Sequence, residues 1–180
     1  MGSRNMSEFV VSECHAFGII RELFLEYSKI KGAESCFVSF GTELDHLESF
    51  YSGGALLLGC ENGAPVGCIA IRKVDEKTCE AKRLFIKPAY RGKGYARILL
   101  ESMLSKAREL GFAKVSLTTK PSVMPVAYGL YGRMGFCELS EDAGTVRMSK
   151  DLQGPCEDDS MKDKRLSRIG KYGIETIEIC

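Results

Sequence analysis

The stretch CEAKRLFIKPAYRGKGYARILLESMLSKAREL, residues 79–110, decides the fold. It reads as a strand, a glycine-rich turn and a helix. Leu99, Leu100, Met103, Leu104, Ala107 and Leu110 follow Ala96 at i, i+3, i+4 spacing, while Lys93, Arg97, Glu101, Lys106 and Glu109 fall elsewhere, the mark of an amphipathic helix. Gly111 stands where a helix-ending glycine belongs. The turn Arg91-Gly92-Lys93-Gly94-Tyr95-Ala96 offers backbone N–H groups with little side-chain cover, next to the positive end of a helix. Such a junction suits an anion, above all a phosphate. Two phosphate ligands are disfavoured at once. A Walker loop needs Ser or Thr after Gly-Lys, and Gly94 is there; the dinucleotide fingerprint needs a glycine three residues beyond Gly94, where Arg97 stands. A bare Gly-x-Gly also fits a plain flexible turn.

Further segments narrow the choice. Arg91-x-x-Gly94-x-Ala96 resembles the pyrophosphate-binding motif of the GNAT superfamily of N-acetyltransferases. Cys79-Glu80-Ala81-Lys82-Arg83-Leu84-Phe85-Ile86 before it is similar to the family's central strand, and Leu130-Tyr131-Gly132-Arg133-Met134-Gly135-Phe136 to its late helix-to-strand segment. The likeness extends loosely over residues 17–150. It implies an α/β (α+β) fold, a single GNAT-like domain with a mixed central β-sheet flanked by helices. It implies acetyl-CoA as co-substrate and no metal. Arg91, Gly92, Lys93, Gly94, Tyr95 and Ala96 would take the pyrophosphate, and the strand at Leu84, Phe85 and Ile86 would lend backbone groups to the pantetheine arm and the thioester carbonyl. Tyr131 matches the tyrosine that protonates the departing thiolate, and Glu80 a carboxylate that serves as base directly or through water. In the family the first helices cover the acceptor cleft, which makes Glu22, Glu26, Tyr27 and Glu43 candidates for recognising an amine.

Two departures accompany the likeness. Met124 occupies the place of a common asparagine, and Thr119 that of a glutamate carried by members acting on protein N-termini. The expected activity is therefore transfer of an acetyl group to the primary amine of a small-molecule or amino-acid-like acceptor by direct attack. A protein lysine or N-terminal amine is the alternative substrate. A non-catalytic acyl-CoA-binding or regulatory module is the rival from another class. Cys79 is read as a packed thiol in preference to an acyl carrier.

Composition sets the outer bounds. The chain of 180 residues has room for one well-buried core. Its 25 basic and 24 acidic side chains nearly balance, which argues against a general nucleic-acid surface and leaves only a local basic cluster, Lys82, Arg83, Lys87, Arg91, Lys93 and Arg97, around the turn. The eight cysteines are scattered without C-x-x-C spacing, several in apolar runs, which suggests a reduced, cytoplasmic setting and neither a disulfide frame nor a metal site. The longest apolar run, 55–58, is far below the ~20 residues of a membrane span.

In chain order, we expect a leader over 1–8, a domain over 9–150 and a tail over 151–180. The domain opens with a strand at Phe9-Val10-Val11, a helix facing inward through Ala16, Ile20, Leu23, Tyr27 and Ile30, and a second helix capped by Thr42. Strands at 55–60 and 66–72 flank an Asn62-Gly63 turn, and a strand at 114–119 must return parallel to the one at 79–86 after the helical crossover. A short helix at 126–133 carries Tyr128 and Tyr131, and a hairpin closes the domain. The tail is polar up to Ile174-Glu175-Thr176-Ile177-Glu178-Ile179, which could add an edge strand here or in a homodimer.

Overall fold

The computed structural model describes residues 8–31 and 40–153. The leader and tail lie outside the described residues, apart from Glu8 and residues 151–153, and so does the expected strand at 174–179. Seven strands, β1 (Phe9–Glu13), β2 (Ala55–Glu61), β3 (Ala64–Lys73), β4 (Thr78–Ile86), β5 (Lys114–Thr119), β6 (Cys137–Asp142) and β7 (Thr145–Asp151), form one sheet in the order β1-β2-β3-β4-β5-β7-β6. Only the β4–β5 pair is parallel, so the sheet is mixed as expected. The Asn-Gly signal holds: Asn62 and Gly63 have φ of 49° and 82°, the paired left-handed residues that a two-residue hairpin requires.

The helices are α1 (Phe17–Ser28), α2 (Phe40–Asp45), α3 (Leu47–Phe50), α4 (Tyr95–Glu109) and α5 (Pro125–Arg133), with a 3₁₀ turn at Pro88–Tyr90. One boundary differs from expectation. Thr42 lies inside α2, which begins at Phe40 and gives way to α3 at His46, so Thr42 does not cap it. Two hydrophobic layers sandwich the sheet. On one face, Leu99, Leu100 and Met103 of α4 are fully buried against Ile69 and Ile71 of β3 and Val115 and Leu117 of β5. On the other, Ile20, Leu23 and Phe24 of α1 and Leu47 of α3 cover Leu56, Cys68, Ala70 and Phe85. Alternation along β3 explains both layers, since Cys68 and Ala70 face α1 while Ile69 and Ile71 face α4. Each fully buried large aliphatic contributes about 1.5–3 kcal/mol. Cys14, Cys60, Cys68, Cys79 and Cys137 are free thiols.

Candidate active site

The end of β4 and the start of α4 build an anion cradle from backbone alone. Gly92 and Gly94 have φ of 78° and 82°, a conformation costly for other residues, and Gly94 is the N-cap of α4. Among the described residues, the amides of Gly92, Lys93, Gly94 and Ala96 have no hydrogen-bond partner, so several donors remain for a ligand at the positive end of a 15-residue helix. Arg91 is pinned beside them by its Nε, which donates to the Ile86 carbonyl at 3.0 Å. A Cβ at Gly92 or Gly94 would meet nothing within 4 Å, so a ligand has free approach to these amides.

The expected basic cluster is largely neutralised by carboxylate partners. Lys93 bonds the Glu61 carboxylate at 2.7 Å, Lys87 sits 3.2 Å from Glu26, Arg97 bonds Glu101 at 2.8 Å, and Arg83 is buried against Glu43. Tyr95 also turns inward, donating to Glu61 and stacking on Phe9 with ring centroids 3.9 Å apart. The turn therefore offers its backbone and Arg91, while its other side chains serve the fold.

A cleft of about 160 Å³ opens where β4 and β5 part. Their parallel ladder runs only through Thr78–Lys114, Cys79–Val115 and Glu80–Ser116, so the edge of β4 beyond Glu80 has no pairing with β5. A bulge between β3 and β4 accompanies the separation. Cys68 pairs with Phe85 and Ala70 with Lys82, leaving Arg83 and Leu84 opposite Ile69, and Arg83 takes the left-handed φ of 59°. That strain is held by a buried network: the Arg83 Nε donates to Glu43 Oε1 at 2.8 Å, its Nη2 bonds Glu43 Oε2, and the Tyr51 hydroxyl donates to Oε1 at 2.5 Å. Glu43, an expected amine contact, is only 2% exposed and instead ties α2 to the bulge.

Burial alone would raise the Glu43 carboxyl, but the bonds from Arg83 and Tyr51 outweigh it and hold it below its ordinary 4.5. A depressed carboxyl stabilises the fold above its unfolded value and loses that contribution as pH falls through the folded one. Glu43→Ala, which removes the buried carboxylate that both Arg83 Nε and Nη2 bond, is expected to cost about 3–5 kcal/mol in urea unfolding at neutral pH. The gap between wild type and Glu43→Gln should narrow on acidification below the ordinary carboxylate range; a gap unchanged down to acid unfolding would contradict this role.

β4 contributes Glu80, Lys82, Arg83 and Leu84 to the cleft, β5 and its end Thr118, Thr119, Lys120 and Met124, α1 Tyr27, and α5 Tyr131. Tyr131 rests edge-on against Phe136, with centroids 5.8 Å apart. Tyr128, one helical turn earlier, is absent from the cleft wall and its hydroxyl donates to Glu138. Glu80 Oε2 accepts from Arg72 Nε at 3.0 Å and lies 3.7 Å from Lys82, while its Oε1 has no partner among the described residues. Tyr27 stacks on Phe85 and donates to the Met124 sulfur at 3.4 Å. Glu22 is exposed and, like Glu26, does not line the cleft. Cys79 is fully buried, and burial pushes its thiol up to about 12, which leaves no nucleophilic thiolate near neutral pH. Lys120 and the Arg83 bulge carry no signal in the sequence pattern, and Thr119 enters it only as the place of a glutamate. A second, wider depression near Phe17, Arg21 and His46 contains neither the glycine turn nor Tyr131.

A mixed sheet splayed at its one parallel pair, with an anion cradle at the head of the crossover helix, defines a transferase fold built around a phosphate-bearing donor. The pattern of the acetyltransferase (GNAT) family matches residues 19–136, and the chain belongs to that family. It is thereby an N-acetyltransferase that uses acetyl-CoA. The chain is similar to the uncharacterized N-acetyltransferase YjgM of Escherichia coli, 31% identical over 146 residues that cover 74% of this chain and 86% of the relative. An uncharacterized N-acetyltransferase of Schizosaccharomyces pombe is 29% identical over 118 residues, covering 63% of this chain and 72% of that one. Among solved structures, the acetyltransferase yncA of Salmonella typhimurium, determined with acetyl-CoA, superposes with a TM-score of 0.65 at 20% identity over 84% of this chain and 98% of its own, a likeness of fold.

Proposed function

We propose that this cleft transfers the acetyl group of acetyl-CoA to the primary amine of a small, amino-acid-like acceptor by direct attack. The observation that carries the reading is the row of amides at Gly92, Lys93, Gly94 and Ala96 with no partner among the described residues, at the head of the helix that follows β4, the strand that lines the cleft together with Tyr131. Those amides and Arg91 bind the pyrophosphate, and the unpaired edge of β4 along Leu84, Phe85 and Ile86 receives the pantetheine arm. Hydrogen bonds to a charged group contribute on the order of 1.5–3 kcal/mol each, so a few of them support micromolar affinity.

The amine must arrive neutral. For a lysine-like amine of pKa about 10.4, deprotonation at pH 7 costs roughly 4–5 kcal/mol, which a nearby acceptor of the proton offsets. Glu80 Oε1 fills that role, directly or through water. The amine nitrogen then attacks the thioester carbon, the new C–N bond forms as the C–S bond breaks, the Tyr131 hydroxyl gives its proton to the departing thiolate, and the proton shed by the acylated nitrogen returns through water to restore the phenol. A phenol of pKa about 10 is protonated at neutral pH and needs no tuning for this. The buried Cys79 leaves no acyl-enzyme route. Mixing the protein with acetyl-CoA and a panel of amines should release free thiol only when an acceptor is present, with one acetylated amine per thiol. Tight acetyl-CoA binding without amine-dependent thiol release would instead support a non-catalytic binding module.

A further inference from the structure

We infer that Glu61 is a positioning residue for the donor: its buried carboxylate holds the turn at 91–96 in the shape whose amides receive the diphosphate of acetyl-CoA. This rests on the donor lying at that turn, as read above, and adds a residue at the end of β2 to the means by which it is bound.

The turn's own backbone does little to hold it. Gly92 and Gly94 sit at φ of 78° and 82°, and a glycine leaves that region for others at little cost. Because the amides of Gly92, Lys93, Gly94 and Ala96 have no partner among the described residues, no hydrogen bond they donate there fixes their direction. The side chains on either side of Gly94 supply what the backbone lacks. Lys93 Nζ donates to Glu61 Oε1 at 2.7 Å, and the Tyr95 hydroxyl donates to the same oxygen. One carboxylate therefore ties down the residues before and after the N-cap glycine of α4.

The anchor is itself well fixed. Glu61 is buried at the end of β2, and the next residue is bonded twice to Glu8: the Glu8 amide donates to Asn62 Oδ1 at 3.0 Å and the Asn62 amide to the Glu8 carbonyl at 2.9 Å. Tyr95 is buried too, and its ring lies flat on Phe9 of β1. The Lys93 ammonium lies 5.3 Å from the centre of the Tyr90 ring and 5.8 Å from that of Tyr95, which orients it further. A carboxylate is a costly choice here, since it must be desolvated and its charge repels phosphates bound at the turn. What it offers in return is order: amides already held in place need not be immobilised when the donor arrives.

The test is calorimetric titration of acetyl-CoA into wild type, Glu61→Ala, Glu61→Gln, Tyr95→Phe and the double variant Glu61→Ala/Tyr95→Phe, each checked for folding by circular dichroism. Charge and position predict opposite signs. Removing the carboxylate takes away a repulsion and frees Lys93, so an effect of charge alone would tighten binding in both Glu61 variants and leave Tyr95→Phe unchanged. Positioning predicts binding about tenfold weaker in Glu61→Ala, a smaller loss in Glu61→Gln, whose amide oxygen still accepts from Tyr95, and a loss of a few-fold in Tyr95→Phe, which keeps its ring on Phe9. The double variant should bind no more weakly than Glu61→Ala, to within a factor of about two, because the two residues act through one bond. A role confined to stability would lower the melting temperature and leave the affinity of the folded protein as it was. If Glu61→Ala does not fold, Glu61→Gln and Tyr95→Phe decide by the same signs. Unchanged or tighter binding in the folded variants overturns the inference and leaves the donor at the turn. Failure of wild type to bind acetyl-CoA overturns both.

Discussion

Tyr131→Phe should lower kcat by roughly 10²–10⁴-fold while leaving acetyl-CoA affinity almost unchanged. The substitution keeps the ring that packs edge-on against Phe136 and removes one oxygen, so a loss confined to kcat reports a proton delivered in the transition state. The thiolate it is proposed to protonate has a pKa near 8.5 and leaves as a moderately stable anion, so the expected deficit is bounded and not total. Tyr128→Phe is the internal control. Its hydroxyl is engaged by Glu138 and its ring lies outside the cleft wall, so kcat should stay within a few-fold of wild type. If Tyr128→Phe collapses turnover and Tyr131→Phe does not, the acid is misassigned.

What could be read from the residues was local. The α4 stripe of Leu99, Leu100 and Met103, the Asn62-Gly63 hairpin and the Gly92/Gly94 turn each declare themselves within a dozen positions, because periodicity and backbone preference are short-range properties. The crossover rule then made β4 and β5 parallel. Charge was harder to read. Lys93, Arg83 and Lys87 look like one basic patch in the sequence, yet their partners Glu61, Glu43 and Glu26 lie 32, 40 and 61 positions away and become neighbours only in the folded sheet. The Arg83 bulge left no trace either, since an arginine at positive φ is favoured by no local rule and is held there by Glu43 and Tyr51. Tyr131 and Tyr128 are near-equivalent on a helical wheel, and it is the fold that puts Tyr131 in the cleft wall and Tyr128 against Glu138. In the sequence Thr119 stands out only as the place of a missing glutamate, whereas in the fold its hydroxyl is buried with no hydrogen-bond partner among the described residues.

The most direct measurement of the central claim, that the backbone turn at 91–96 holds the acetyl donor, is a calorimetric titration of acetyl-CoA into wild type and Gly94→Glu. Gly94 adopts φ of 82° at the N-cap of α4, so a side chain there carries local strain of roughly 1–2 kcal/mol, partly offset by a carboxylate at the positive end of the helix. Its Cβ meets nothing within 4 Å, so the variant can fold, and circular dichroism checks that it does. The added carboxylate nevertheless projects into the space the phosphates need and meets their charge with the same sign. We expect saturable micromolar binding to wild type and no detectable binding to Gly94→Glu at concentrations that saturate wild type. Unchanged affinity in the folded variant would contradict the account.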